Sequence, residues 1–321
     1  MSETYYRLAH RTVYSYAAPV TLSHQRLHLT PREVPFQHIH SHEITITPTA
    51  TQRLAASDAF GNALIEATIE AAHTELEVVA VSRISVNDRQ WPQPQDTPAW
   101  ETVRDALQYR AGWHADDDLF AASQYLFESP HVRLKRQLRG YVADCFTPGR
   151  PILEGADALM AKIHRDFRFD PKATTINTPV MTVFKQRSGV CQDFSHLMIS
   201  CLRSIGLAAR YMSGYLVTST KSAGESARES TKPADPELVG ADASHAWVAL
   251  FIPGTGWVEL DPTNNVRPSR QHVVLGWGRD FSDVTPLRGV INAGCEQTLK
   301  VTVTLVPDGM TSASTSTSTP T

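Results

Sequence analysis

The sequence predicts an α+β protein: an N-terminal β-sandwich followed by a core in which a helix packs on an antiparallel sheet. Within residues 5–90, short segments such as 42–47 and 76–81 alternate polar with apolar residues, and prolines and an Asp-Ala-Phe-Gly-Asn turn separate them. Several short strands at this spacing are typical of a sandwich. From about residue 99 the apolar residues recur at helical spacing instead.

Composition indicates where the domains begin and end. The 321 residues are enough for two domains of ordinary size. The proline-rich segment 91–98 has the composition of a linker, so we expect the sandwich at 1–92 and the core at 99–308. Within the core, the polar and aperiodic stretch 218–241 is expected to be a long loop. Residues 309–321 are of Ser/Thr low complexity and are expected to be disordered.

The charge balance excludes some functions. The chain carries 30 basic and 33 acidic residues, a net charge of −3, without a dense basic stripe. Binding driven by nucleic-acid phosphates or by a membrane surface is therefore disfavoured. No apolar stretch approaches the roughly 18 residues of a spanning helix, and the start lacks the apolar region of a secretory signal. We therefore expect a cytoplasmic protein that binds neither nucleic acid nor membrane.

The core sequence predicts two amphipathic helices and several strands. The first helix, 151–168, has six apolar residues at helical spacing: Leu153, Ala156, Leu159, Met160, Ile163 and Phe167. The second helix begins near Cys191 and ends at Gly206. Strands are expected at 208–217, 246–252, 257–260 and 299–306.

The segment Ser-Gly-Val-Cys-Gln-Asp-Phe, residues 188–194, places a cysteine at the start of the second helix. Unpaired N–H groups and the positive end of the helix dipole favour the thiolate there, so we expect a lowered pKa for Cys191. A small buried residue at a helix start is the alternative interpretation. Cys201 illustrates that alternative, because it lies on the apolar face of the same helix, about 15 Å from Cys191 and too far for a disulfide.

A predicted β-hairpin brings a histidine and an aspartate to the same end of the sheet. His245 precedes one strand, and the partner strand ends at Asp261, at the rim of the sheet, because Pro262 cannot donate to a ladder. A helix-start cysteine beside a histidine that a carboxylate orients is the arrangement of cysteine acyl transfer. We expect that neither Cys191 nor His245 belongs to the hydrophobic core.

The order of these motifs resembles the transglutaminase-like core of the papain-type cysteine peptidase superfamily. The resemblance runs from GVCQDFSHL through ARYMSGYL and SHAWV to LDPTNN and the segment 278–286. The N-terminal region is similar to the β-sandwich domain that precedes this core in bacterial transglutaminase-like proteins. The resemblance there runs from YYRLAHRTVYSYAAPV through LTPR to DAFGN. The resemblance implies that Cys191 is the nucleophile, His245 the general base and acid, and Asp261 the residue that holds the imidazole. It implies a peptide or protein substrate, an amine as the alternative acceptor to water, and no metal or other cofactor.

Three classes of function remain open. The first is a peptidase or amidase, or a transglutaminase, since the triad of Cys191, His245 and Asp261 does not decide the acceptor. The second is a zinc hydrolase that uses the same three residues as ligands, although they lack any paired short spacing. The third is a non-catalytic peptide-binding module with a vestigial triad, which is disfavoured because all three positions hold competent residues. A second oxyanion donor is unassigned, since Gln186 lies upstream at a plausible distance but its register departs from the papain pattern.

We expect iodoacetamide to alkylate Cys191 much faster than Cys145, Cys201 or Cys295 at about pH 6, because only Cys191 is expected to be held as a thiolate at a helix start. Mass spectrometry of the native protein after short exposures measures the four rates. Equal labelling of all four thiols would contradict the thiolate assignment.

Overall fold

A computed structural model of the chain describes residues 3–108, 117–217, 244–294 and 296–308. The predicted loop 218–241, the tail 309–321 and Cys295 lie outside these residues. Within them the protein consists of extensive antiparallel sheets and a set of helices, which confirms the predicted α+β class.

The N-terminal part forms six strands: β1 (Thr4–Val20), β2 (Ser23–Leu27), β3 (Gln37–Thr47), β4 (Gln52–Ser57), β5 (Ala63–Ile69) and β6 (His73–Val86). They belong to two sheets that enclose one hydrophobic core, to which Ile44, Ile65 and Leu76 contribute. The predicted turn at Asp58 forms because its carboxylate accepts the backbone N–H of both Phe60 and Asn62.

The second part alternates helices and strands. It contains α1 (Trp100–Ala106), α2 (Asp117–Ser123), α3 (Arg136–Val142), α4 (Ile152–Asp166), β7 (Arg168–Phe169), α5 (Val180–Gln186), β8 (Ser188–Gly189), α6 (Cys191–Ser204), β9 (Ala209–Leu216), β10 (Ser244–Ile252), β11 (Gly256–Leu260) and β12 (His272–Gly278). Strands β9 to β12 form an antiparallel sheet in the order β11-β10-β9-β12, and β7 pairs with β8 in parallel. Helix α6 packs on β9 and β10, as the sequence predicts.

The two predicted amphipathic helices are confirmed as α4 and α6. The inner face of α4 buries the predicted residues Leu153, Ala156, Leu159, Met160 and Ile163. The inner face of α6 likewise buries Phe194, Leu197, Met198, Cys201 and Leu202. Within the described ranges, no helix is long and apolar enough to cross a membrane.

The last two strands return to the N-terminal sheets. β13 (Leu287–Ile291) pairs with β2, and β14 (Gln297–Pro307) pairs with β1. The sandwich therefore has two four-stranded sheets, β14-β1-β6-β3 and β13-β2-β5-β4. This placement corrects the predicted extent of the core, 99–308, because β13 and β14, the last two strands in that range, complete the sandwich. The physical reason is that β14 and β13 pair with edges of β1 and β2 that would otherwise be open.

The long strands β1 and β6 join the two parts of the molecule. Near the start of β6, Leu76 and Val78 face the core of the sandwich. Farther along the same strand, Ile84 packs with Tyr215 and Val273 of the second sheet. Side chains in a strand alternate with period two, so these three β6 residues share one face. One continuous face of this sheet is therefore covered near the start of β6 by the other sheet of the sandwich. Farther along β6 the same face is covered by the sheet of the second part.

Strand β12, which the sequence analysis did not predict, is an edge strand that side-chain amides of the sandwich hold in place. The amide of Gln37 donates to the Val274 carbonyl (2.8 Å) and accepts the Val274 N–H (2.7 Å). Asn62 makes the same pair of bonds with Trp277, at 2.7 and 3.0 Å. These bonds satisfy backbone groups that a buried edge would leave unpaired. The strand is buried on both faces, so it lacks the polar alternation that predicts a strand.

Gly214 on β9 lies where no side chain fits. A Cβ atom there would lie 2.0 Å from the Val273 carbonyl oxygen and 2.5 Å from the Trp247 ring. Gly214→Ala is therefore expected to lower the free energy of unfolding by about 1–3 kcal/mol or more through overpacking. Urea denaturation followed by circular dichroism measures the change.

Gly140→Ala in α3 is the matched control. A Cβ atom at Gly140 meets nothing within 4 Å, and alanine is favoured over glycine in a helix by about 1 kcal/mol. This control should be neutral or stabilising. A similar loss of stability in both variants would show that the close approach at Gly214 is not the cause.

Candidate active site

Cys191 is the first residue of α6, as predicted, and Asp193 fixes the turn that leads into it. The Asp193 carboxylate accepts the Val190 N–H (2.9 Å) and the Thr174 hydroxyl (2.6 Å). Burial raises the pKa of Asp193. A Cβ atom on Gly189 would lie 2.6 Å from this carboxylate, so the tight turn requires glycine. The turn leaves the Cys191 thiol partly exposed at the helix start, beside backbone N–H groups that have no partner within the helix.

Cys145 and Cys201 are placed quite differently. Both are buried in the hydrophobic core of the second part. Burial raises the pKa of Cys145 to about 11 and raises that of Cys201 still further. Both thiols therefore stay protonated at neutral pH, and the interpretation of Cys201 as a core residue holds.

His245, on β10, forms a buried ion pair with Asp261. Its Nε2 donates to Asp261 Oδ2 at 2.8 Å, and neither side chain has exposed surface. Burial lowers the pKa of His245, but the Asp261 carboxylate outweighs burial and raises that pKa to about 10. The imidazole is therefore cationic at neutral pH. The expectation that His245 lies outside the core was wrong, because the strand carries it into the interior at the carboxylate.

The other ring nitrogen of His245 is left for Cys191. Nδ1 is buried and has no conventional hydrogen-bond partner within the described ranges. The Cys191 side chain lies close enough to interact with the ring, and this interaction also raises the pKa of His245. An imidazole held at one nitrogen and facing a thiol with the other is an arrangement that can activate a cysteine by forming a thiolate–imidazolium pair.

Asp261 follows β11 directly, at the predicted end of the hairpin strand, and its own loop holds it. Oδ1 accepts the backbone N–H of Thr263 (2.9 Å) and of Asn264 (3.3 Å), and Oδ2 accepts the Asn264 side-chain amide at 2.8 Å. Burial raises the pKa of Asp261, but the charge on His245 outweighs burial and lowers it far below the usual range. The predicted rim position is thus fully buried rather than exposed to solvent.

A second histidine, which sequence reasoning missed, also contacts Asp261. His272 begins β12, and its Nε2 lies 3.1 Å from Asp261 Oδ2. Burial lowers the pKa of His272, so it is neutral at neutral pH, where His245 is cationic. The only signal in the sequence is one polar residue at the start of the apolar run HVVLGWG. That signal does not distinguish a hydrogen-bonding partner from the first exposed residue of a strand.

His245, Asp261 and His272 also invite comparison with a metal site, since their ligand atoms lie within 4.8 Å of one another. The separations of 2.8 and 3.1 Å from Asp261 Oδ2 are hydrogen-bond lengths. A catalytic zinc also needs an open position for water, whereas all three side chains are fully buried. A hydrogen-bonded network fits these residues better than the zinc sphere considered from the sequence with Cys191.

Gln186 does not supply the missing oxyanion donor in this arrangement. Its Nε2 donates to the Ser188 carbonyl at 2.9 Å, so the side chain folds back on its own loop. A cavity of about 490 Å³ is lined by residues that include His131 and Asn177. The Gln192 amide, next to Cys191, donates to the carbonyl of Ile176, the neighbour of Asn177, at 3.2 Å. Residues 176 and 177 therefore connect this cavity to the helix that begins at Cys191.

The fold and the cysteine–histidine–aspartate site define a papain-like, transglutaminase-like protein, and comparison with known proteins agrees. A model of the bacterial transglutaminase-like N-terminal region matches residues 6–85, and a model of the transglutaminase-like superfamily matches residues 139–262. A protein of Mycobacterium tuberculosis, named only as uncharacterized, is 35% identical over 308 residues, which cover 94% of this chain and 92% of the relative. The chain therefore belongs to the bacterial transglutaminase-like proteins, a superfamily whose members are typically cysteine-based enzymes.

Two further comparisons are informative. A protein-glutamine gamma-glutamyltransferase of Pseudomonas aeruginosa is 32% identical over 120 residues, which cover 35% of this chain and 16% of that protein. The crystal structure of a protein from Cytophaga hutchinsonii, designated a "putative cysteine protease", superposes with a TM-score of 0.69. It has 17% sequence identity and covers 96% of this chain and 91% of that chain, so it establishes the fold alone.

Asp261→Asn should cost more stability at about pH 5.5 than at about pH 9.5. The raised pKa of His245 means that its contribution is complete below about pH 6.5 and is lost as the pH rises towards about 10. The lowered pKa of Asp261 means that its contribution is present above about pH 4 and is lost only in acid. At about pH 5.5 both charges are present, and breaking a buried pair costs about 3–5 kcal/mol.

Urea unfolding of the native protein and the variant at about pH 5.5 and at about pH 9.5 measures this difference. Comparing the two proteins at each pH cancels the contribution to stability of those histidines that titrate alike in both. A cost that stays constant or grows with pH would show that the pair is not charged in the folded protein.

Proposed function

We propose that the protein is a cysteine acyl-transfer enzyme that cleaves amide or peptide bonds through a thioester, with Cys191 as nucleophile, His245 as general base and acid, and Asp261 as the residue that orients the imidazole. The single observation that supports this most is the buried His245–Asp261 pair, which fixes one ring nitrogen and leaves the other for the thiol. Membership of a superfamily of cysteine-based enzymes supports the same chemistry.

In the proposed acylation, the thiol proton has passed to Nδ1 of His245, and the Cys191 sulfur attacks the carbonyl carbon of the substrate. A C–S bond forms and the carbonyl oxygen becomes an oxyanion, which backbone N–H groups near the helix start stabilise. The C–N bond then breaks as Nδ1 returns its proton to the leaving amine. The product is a thioester on Cys191 and a free amine.

In the proposed deacylation, an acceptor replaces the sulfur. Water gives its proton to Nδ1 of His245, attacks the thioester carbon and releases a carboxylic acid, while Cys191 recovers its proton. A primary amine would follow the same steps and yield a new amide. We favour water, which makes the enzyme a peptidase or amidase. The likeness to the gamma-glutamyltransferase over 120 residues keeps transamidation as the second candidate.

The test is to incubate the protein with a peptide library, with and without a primary amine, and to read the products by mass spectrometry. Hydrolysed peptides in both samples would indicate a peptidase or amidase, and amine adducts would indicate a transglutaminase. No product in either sample, from a protein whose Cys191 reacts with iodoacetamide, would favour the peptide-binding module. Metal analysis of the purified protein checks the zinc alternative.

Cys191→Ala should abolish turnover and change stability by about 1 kcal/mol, because the thiol is partly exposed. Asp261→Asn should reduce turnover by several orders of magnitude without removing it, as loss of the orienting carboxylate does in comparable triads. His245→Gln should also be inactive. It is a better test than His245→Ala, because the glutamine amide still offers Asp261 a hydrogen-bond donor. Rates of product formation measure the loss of turnover, and urea denaturation measures the change in stability.

Cys201→Ala is the matched control on the same helix. It should lose about 1–2 kcal/mol of stability through a small cavity and keep its activity. An inactive Cys201→Ala together with an active Cys191→Ala would overturn the assignment of the nucleophile.

A further inference from the structure

We propose that His272 is a positioning residue of this active site: a neutral imidazole that donates a hydrogen bond to Asp261 and so fixes the carboxylate that orients His245. The proposal rests on the proposed function, because it adds a fourth side chain to the triad. His272 is 1% exposed, so it does not touch a substrate and can act on the reaction only through the residues around it.

The geometry places two imidazoles on one carboxylate oxygen. Asp261 Oδ2 lies 2.8 Å from Nε2 of His245 and 3.1 Å from Nε2 of His272. The loop donors of Thr263 and Asn264 hold the carboxylate from its own segment of the chain. His272 adds a donor from a different strand, so Oδ2, the oxygen that binds His245, is held from β12 as well as from its own loop.

The two imidazoles hold different charges. Asp261 raises the pKa of His245, whereas burial lowers that of His272, and the charges of His245 and Arg89 lower it further. A neutral imidazole has one N–H. Nδ1 of His272 has no partner among the residues described, so the proton belongs on Nε2, where Asp261 accepts it. Asp261 therefore receives one charged and one neutral donor without adding a second buried cation.

The backbone of His272 is anchored from the sandwich side of the molecule. Arg89, which follows β6, donates to the His272 carbonyl at 2.6 Å and to Glu259 at 2.7 Å, and both of its bonds are buried. Glu259 also accepts the Trp247 indole N–H at 2.5 Å. The Trp247 ring packs on both imidazoles, with centroids 6.1 Å from His245 and 5.3 Å from His272. These contacts hold the backbone of His272 and pack against its ring in the orientation in which Nε2 faces Asp261.

The test measures how fast iodoacetamide alkylates Cys191 as a function of pH, which requires no known substrate. His272→Phe keeps a ring but removes the donor, so His245 should stabilise the thiolate less well. The midpoint of the rate profile should rise by about one pH unit, which slows labelling about tenfold at about pH 6. His272→Gln, whose amide offers a donor, should restore most of the rate. An unchanged midpoint in His272→Phe would overturn the proposal.

The Asp261→Asn background separates positioning from a general loss of structure. If His272 acts through Asp261, adding His272→Phe to Asp261→Asn should not shift the midpoint any further. A shift of equal size in both backgrounds would mean that the residue acts by another route, and the proposal would fail.

A measurement on the unmodified protein covers the case in which His272→Phe does not fold. Long-range ¹H–¹⁵N spectra of ¹⁵N-histidine protein, assigned with His272→Gln, should show His272 neutral with its proton on Nε2 between about pH 7 and 8. A cationic ring or an Nδ1 proton would overturn the proposal. Failure of the proposed function gives a different result, the absence of any product from the peptide library, whereas failure of this proposal is seen in the labelling midpoint and in the His272 spectra.

Discussion

The complete burial of the Asp261 carboxylate is the constraint on which the rest of this structure depends. Asp261 has no exposed surface, and burying an unpaired carboxylate would cost far more than most contacts return. It is stable because donors converge on it from its own loop, through Thr263 and Asn264, and from two other strands, through His245 and His272. The sheet order that makes β9 the neighbour of both β10 and β12 is what allows those donors to meet.

The sandwich contributes to this arrangement rather than merely preceding it. Strand β12 would be an open edge, yet Gln37 and Asn62 of the sandwich pair with its backbone as a neighbouring strand would. Arg89 holds the start of the same strand at His272. Because these are hydrogen bonds to buried groups, losing any of them leaves an unsatisfied partner. The position of His272 therefore depends on residues far from the cysteine in sequence.

Charge is distributed over the site so that each group has a compensating neighbour. His245 carries the positive charge opposite Asp261, while His272 stays neutral because burial and the nearby cations disfavour a second charge. Arg89 and Glu259 form a separate buried pair behind the imidazoles. The Cys191 thiol lies at the edge of this network, partly exposed at a helix start, as the proposed nucleophile must be to reach a substrate.

The sequence by itself determined the local features. Helical spacing predicted α4 and α6, the glycine turn placed Cys191 at a helix start, and the hairpin placed His245 and Asp261 at one end of a sheet. Each of those predictions depends on a few neighbouring residues, so the spacing of residues along the chain is enough to make it. Only the tertiary structure decided that His245 and Asp261 are buried, that His272 joins them, and that β13 and β14 return to the sandwich. Strand pairing and the burial of polar groups depend on residues far apart in the chain, and no short-range pattern reports them.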